Sequence, residues 1–293
     1  APVARTPPRH WRGPRPTDKL RAMSRTPPAA LKSVLLNTPE IELWPAGLLR
    51  ARSNHDARAL ARARRVLRRK RDGAYLAADL QEGLLPLLPN LRRESGLGAA
   101  LDALEAMPMH GRNGIEHVGE LPLHRLQERL QSLDIDEDKY AARTGLELVA
   151  EPDWLAFAGF DRYRRALWLR IDAARAWLRM RDEALRDGIV LEGISGYRSH
   201  DYQLGIFERK LARGLTVEDI LAVNAAPGFS EHHSGLALDI GTPDEPPAEE
   251  SFEATPAFAW LREHAGEHGF AMSYPRDNPH GIVYEPWHWR FAA

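Results

Sequence analysis

Residues 230–240 read SEHHSGLALDI, and the aspartate in this stretch decides how the surrounding chain is read. A carboxylate between Leu238 and Ile240 is expensive to bury unless something compensates it. Strand alternation puts Leu236, Leu238 and Ile240 on one face and Ala237 and Asp239 on the other. Asp239 then points into a spot made roomy by Ala237 and Gly241, and Gly235 permits a tight approach just before the strand. His232 lies seven residues before Asp239, in the loop that feeds it.

The chain has no cysteine, so disulfides and thiolate metal sites are excluded, and any metal must be held by His, Asp or Glu. Zinc commonly takes three such ligands and keeps a fourth position for water. His232 and Asp239 supply two. The C-terminal YEPWHWRF offers His288 as a third, with Glu285 three residues before it as a base for the zinc water. Pure alternation would put Glu285 and His288 on opposite faces; Pro286 suggests a bulge or edge that brings both into one pocket, walled by Trp287 and Trp289. The competing reading is a set of hydrogen-bonded polar residues in a β core.

The rest of the chain frames this pair of motifs. With 293 residues, 43% hydrophobic and 28% charged, it reads as one large globular domain or two smaller ones. No apolar stretch is long enough to span a bilayer. The opening APVARTPP shows no signal peptide, as expected of a processed secreted chain and equally of a trimmed one. Residues 1–30 read as a Pro/Arg-rich arm. Leu and Ala spacing predicts helices over 57–70, 74–88, 97–106 and 123–133, making 31–148 a mostly helical accessory region. From about 149 a catalytic domain is expected: helices over 173–188, 199–214 and 256–269, and strands over 189–195, 236–241 and 281–291. The fold class is α+β, with a small antiparallel sheet flanked by helices.

Charge is uneven. Residues 1–72 carry 18 Lys+Arg against 5 Asp+Glu, leaving 22 against 36 in the remainder. The densest basic run, ARALARARRVLRRKR (57–71), reads as an Arg-rich helix face docked on the acidic remainder, and is also a candidate for electrostatic contact with an envelope polymer. It lacks the interleaved aromatics of a single-strand nucleic-acid binder, and no nucleic acid is expected.

Several motifs are set aside. SLDIDEDKY (132–140) has calcium-loop spacing, but Lys139 and Gly145 stand where glycine and glutamate belong, so a helix-capping turn is expected. HAGEH (264–268) fits the inverted zinc-peptidase motif, but too little chain follows to supply the further carboxylate, and its histidines are expected at the surface or core boundary. His233 is out of register and is expected at the rim or donating a hydrogen bond; His200 is the other alternative in the site, and His280 reads as a turn residue. S-x-x-K and G-x-S-x-G are absent, which removes serine-peptidase readings.

The two motifs together resemble a known family. Ser230-Glu-His232-His-Ser-Gly235-Leu-Ala237-Leu-Asp239 followed by Glu285-Pro-Trp287-His288 is similar to the signature of the VanY-type zinc D-alanyl-D-alanine carboxypeptidases, among the LAS-type metallopeptidases. SGYRSHDYQ (195–203) and SYPRDNPHGIVYEPWHWRF (273–291) extend the resemblance, which covers about 150–293. It implies one zinc on His232, Asp239 and His288, with Glu285 as catalytic base. It further implies Arg198 on the scissile carbonyl and oxyanion, and Gln203 and Ser230 near the substrate's C-terminal end. The implied activity is removal of a terminal D-Ala from peptidoglycan stem peptides by a metal-activated water. L,D-carboxypeptidase or L-Ala-D-Glu endopeptidase action on the same polymer is the alternative, and a non-catalytic cell-wall-binding protein is the alternative of another class. Periplasm or cell envelope follows from that substrate.

Overall fold

The structure, a computed structural model, describes residues 33–106 and 118–292; the Pro/Arg-rich arm lies outside them. In chain order the described residues form β1 (Val34–Asn37), β2 (Ile41–Pro45), α1 (Asn54–Leu60), β3 (Arg65–Arg69), β4 (Tyr75–Leu80), β5 (Gly83–Pro86) and α2 (Leu97–Glu105). Then come α3 (Leu126–Gln131), α4 (Glu137–Thr144), β6 (Trp154–Phe160), β7 (Ala166–Leu169), α5 (Ile171–Arg186), β8 (Glu192–Ser195), α6 (His200–Leu211) and α7 (Val217–Leu221). The chain finishes with β9 (Ala237–Gly241), α8 (Pro256–His264), β10 (Phe270–Met272) and β11 (His288–Phe291).

Two antiparallel sheets result, a seven-stranded one in the order β5-β4-β3-β2-β1-β6-β7 and a four-stranded one in the order β10-β11-β9-β8. The larger sheet runs through position 148 without a break, because β1 pairs with β6 in the register Val34↔Ala156. Helix α5 lies between the sheets. Its Ala173, Trp177, Met180 and Ala184 share one core with Trp154 and Leu169 on one side and Leu238, Ile240 and Trp289 on the other. Helices α3 and α4 form a smaller core with Phe229, Tyr274 and Ile282, the loops that border the cleft described below.

The expectation of a mostly helical N-terminal region is corrected. Residues 57–70 split into the end of α1 and strand β3, and 74–88 form the β4–β5 hairpin. All six residues of β4 are buried, since α1 covers the sheet through Ala59 and α2 through Ala100. A strand covered on both faces loses its period-2 signal and reads like a buried helix, and its Ala and Leu reinforce that reading. The predicted final strand also shortens, from 281–291 to His288–Phe291. Strands β6 and β7 were not expected, while α2, α5, α6, β9 and α8 fall within their predicted spans or within two residues of them.

The basic run is absorbed by carboxylates. Arg62 pairs with Glu82, Arg64 with Asp79, Arg68 with Glu42, Arg69 with Asp72 and Glu94, and Lys70 with Glu151. Asp136, the centre of the set-aside calcium-like loop, caps α4 by accepting from the Lys139 N–H at 3.0 Å.

Candidate metal centre

The site is built on one row across the small sheet. Ser195 of β8 stands opposite Asp239 of β9, and Asp239 stands opposite His288 of β11. Register partners share a face, so Asp239 and His288 project into one cleft with Ser195 beside them, while Leu238 and Ile240 point into the core. His232 enters from the 3-10 turn Glu231–Ser234. That turn ends at Gly235 with φ +70, and a Cβ there would sit 2.5 Å from Leu155 Cδ2. Only glycine lets the turn lie so close to β6 before entering β9.

Glu285 reaches the same cleft without a strand bulge. Residues 285–287 precede β11, and the His288 N–H donates to the Glu285 carbonyl at 3.1 Å, closing a tight turn. Glu285 Oε2 consequently lies 3.8 Å from His288 Nδ1.

Ligand-capable atoms of His232, Asp239 and His288 all lie within 4.8 Å of one another, and all three residues are buried. His232 Nδ1 donates to the Gly196 carbonyl at 2.7 Å, which leaves Nε2 as the bare nitrogen in the neutral ring. That nitrogen lies 3.3 Å from Asp239 Oδ1. His288 Nε2 lies 2.9 Å from Glu231 Oε2, and its Nδ1 lies 3.0 Å from the same Asp239 Oδ1. Two ring nitrogens, on rings whose far nitrogens are held by the Gly196 carbonyl and by Glu231, thus face one carboxylate oxygen. A neutral His232 meets it lone pair to lone pair, a conflict that a shared cation removes. The donor set, two imidazoles and a carboxylate, is that of a zinc site with an open position.

The electrostatics agree. Burial and the Arg198 guanidinium push His232 down to about 4, keeping its ring neutral. Burial opposes charging His288, but its contacts with Asp239 and Glu231 outweigh burial and raise it to about 10. Desolvation alone would raise Asp239; the facing His232 and Arg198 hold it well below the ordinary range. Burial lifts Glu285 to about 7, helped by the neighbouring negative charges of Asp239 and Glu231. Burial together with the carboxylates gathered beside it raises Glu285, and against burial the same carboxylates raise His288, a setting suited to a cation.

Arg198 lies on the cleft wall, its Nε donating to Ser195 Oγ at 2.9 Å and its Nη2 to Asp239 Oδ2. Its backbone is held as well. The Gly228 N–H donates to His233 Nε2 at 3.1 Å, so His233 Nδ1 carries the proton and donates to the Arg198 carbonyl at 2.7 Å. His233 is fully buried, which corrects the expectation of a rim position and keeps the hydrogen-bonding one. His200 packs edge-on against it at 4.3 Å and bonds the Val149 carbonyl, so it lies behind the cleft. His280 is pinned in its turn by the Thr144 carbonyl.

The cleft encloses about 540 Å³. Gln203 and Ser230 line it, both buried; Gln203 donates to the Ala225 carbonyl at 2.8 Å and leaves Oε1 without a partner among the described residues. Trp287 lines the wall, whereas Trp289 turns into the core. Three contributors were not read from the sequence: Glu231 behind His288, Tyr274 whose ring lies 4.8 Å from the His288 ring, and Lys210. Glu231 was legible in principle, as a carboxylate beside a ligand histidine.

A deeper element links the larger sheet to this site. Glu151 receives Lys70 Nζ at 2.6 Å, the His200 N–H at 2.8 Å, the Tyr197 hydroxyl and Asn37 Nδ2. Tyr197 and His200 bracket Arg198, so a charge from the end of β3 helps fix the arginine's position.

Comparison with known proteins agrees with the motif reading. The VanY family model, described as D-alanyl-D-alanine carboxypeptidase, matches residues 166–293. A Bacillus subtilis protein called putative carboxypeptidase YodJ is 36% identical over 138 residues, covering 46% of this chain and 50% of its own. The bifunctional D-Ala-D-Ala dipeptidase and D-Ala-D-Ala carboxypeptidase VanXYC of Enterococcus gallinarum is 32% identical over 150 residues, covering 49% of this chain and 76% of its own. A crystal structure of a vancomycin-resistance D,D-pentapeptidase VanY in complex with Zn(II) is 26% identical, with a TM-score of 0.38, covering 52% of this chain and 82% of that one. The chain thus spans half the length of the first of these relatives.

Proposed function

The chain belongs to the VanY-type D-alanyl-D-alanine carboxypeptidase family, and from that premise we propose that it is a zinc carboxypeptidase removing a terminal D-Ala from peptidoglycan stem peptides. The observation that carries this reading is the convergence of His232, Asp239 and His288 in a cleft that also holds Glu285 and Arg198. His232 Nε2, an Asp239 oxygen and His288 Nδ1 would hold the zinc, which supplies a Lewis acid and lowers the pKa of water towards about 7.

The chain's own residues do the rest. Glu285 accepts a proton at its carboxylate and delivers it to the leaving amine; burial has already moved its affinity into the working range. Arg198 presents guanidinium N–H groups not used by Ser195 and Asp239 to the substrate carbonyl oxygen, where negative charge develops. Gln203 Oε1 is an acceptor for a substrate N–H, and Ser230 lies beside it on the cleft wall. Tyr274 and Trp287 exclude water around the reacting bond.

The substrate places the protein in the periplasm or cell envelope. Among the described residues, Arg58, Arg65 and Arg71 of the run 57–71 make no ion pair; Arg65 is held by the Val34 and Leu43 carbonyls, and envelope contact would rest on the exposed Arg58 and Arg71. Digesting defined muropeptides with the zinc-loaded protein tests the reading. Loss of one D-alanine from a pentapeptide supports it. Loss of the terminal residue from tetrapeptides instead selects L,D-carboxypeptidase action, scission between L-Ala and D-Glu selects endopeptidase action, and retained wall binding with no cleavage selects a binding protein.

A further inference from the structure

The set-aside HAGEH motif keeps its histidines at the core boundary, as expected, but acquires a neighbour that the sequence did not show. Helix α8 ends at His264, and the chain tightens into a 3-10 turn over Ala265–His268. The carboxylate that the motif lacks downstream comes from upstream: Glu183 of α5 packs beside this turn. Ligand-capable atoms of Glu183, His264 and Glu267 all lie within 4.8 Å of one another.

A separate observation marks the cluster as more than surface acids. The His268 side chain is only 9% exposed, and its Nε2 makes no hydrogen bond among the described residues. That nitrogen points at Glu183 Oε2, 3.5 Å away. A buried ring nitrogen without a hydrogen bond is uncommon enough to require an explanation. Trp260 sets the rings, with its own ring 4.6 Å from that of His264 and 6.5 Å from that of His268. Its indole N–H is fixed on Asp187 Oδ2 at 2.8 Å. The exposed Arg186 also lies near Glu183, at 3.8 Å.

We infer that Glu183, His264 and Glu267 form a second divalent-cation site, of the zinc class, with His268 beside Glu183. One imidazole and two carboxylates suit such an ion, and the imidazole disfavours calcium and magnesium as its occupants. Its role is structural. The ion would tie α5 to the end of α8, and both cover the main core through Ala184, Trp260, Leu261 and Ala265.

The test is metal stoichiometry on the full chain, stripped with a chelator and reloaded with Zn²⁺ by equilibrium dialysis. The intact protein should hold two equivalents. Glu267→Gln, a change at an exposed position, should hold one and keep its peptide-cleaving activity; His264→Ala should do the same. His232→Ala should also hold one, and should still rise in Tm on adding zinc, whereas the His232→Ala/Glu267→Gln double variant should not. Reloading with Co²⁺ should quench Trp260 fluorescence, and that quenching should vanish in Trp260→Phe and in Glu267→Gln. One equivalent in the intact protein that both Glu267→Gln and His264→Ala retain, or two in both of these variants, overturns the inference. Failure of the cleft site would instead appear as a His232→Ala variant with unchanged zinc content.

Discussion

Replacing Glu151 with Gln would leave the Lys70 ammonium in a space where its side chain is 1% exposed, with no opposite charge. Removing one partner of a buried pair destabilises by about 3–5 kcal/mol, because the remaining charge is desolvated and uncompensated. Glutamine keeps a single oxygen, so either the His200 N–H at Oε1 or the Tyr197 hydroxyl and Asn37 amide at Oε2 also meet an NH2 group, a loss that adds to the one on Lys70. At about 2–4 °C per kcal/mol, Tm should fall by roughly 6–20 °C. Lys70→Met/Glu151→Gln replaces the pair with groups of similar volume and should recover most of that loss. The assay is thermal unfolding of the two single variants and the double, read as a double-mutant cycle. If Glu151→Gln lies within about 0.5 kcal/mol of the parent, or the double variant loses the sum of the singles, the clasp reasoning is wrong.

Other outcomes follow from the same geometry. Glu285→Gln should lower kcat by about 10²–10⁴-fold while zinc content, measured by metal analysis, stays unchanged. Arg198→Ala should cost about 10²–10³-fold in kcat, and Arg198→Lys should not restore it, since one ammonium cannot replace the guanidinium fork held on Ser195 and Asp239. Gly235→Ala should lose about 1–2 kcal/mol for a left-handed backbone and about 1–3 more for overlap with Leu155, visible as a lower Tm and weaker zinc retention. Glu151 is held below its ordinary value of 4.5; burial opposes this, and Lys70 and His200 outweigh it. Its stabilisation is therefore present above pH 4.5 and lost as pH falls further, and Glu151→Gln should show a flatter acid limb in a pH series of melts.

The metal centre was legible because its chemistry is local in sequence. Asp239 is surrounded by residues whose alternation shows which way it points, and Glu285 and His288 are three positions apart. Their convergence was the part that spacing alone could not supply. It comes from the β8-β9-β11 register and from a turn, not a bulge, at 285–288. The larger sheet was illegible for the opposite reason. In β3, Val66 and Leu67 are buried between Arg65, which donates to the Val34 and Leu43 carbonyls, and Arg68, which pairs with Glu42, contacts set by tertiary pairing that helix propensity does not register. Glu151 likewise looks unremarkable in sequence, since its partners Lys70, Tyr197 and His200 are 46 to 81 residues away.

The central claim is that His232, Asp239 and His288 hold the zinc that makes this cleft a carboxypeptidase. Release of D-alanine from a defined stem pentapeptide, followed for chelated, zinc-reloaded and His288→Ala protein in parallel, tests it most directly. Cleavage is expected in the reloaded protein, with none after chelation and none in His288→Ala at any zinc level that leaves the protein folded. Undiminished D-alanine release from the chelated protein or from His288→Ala would contradict it.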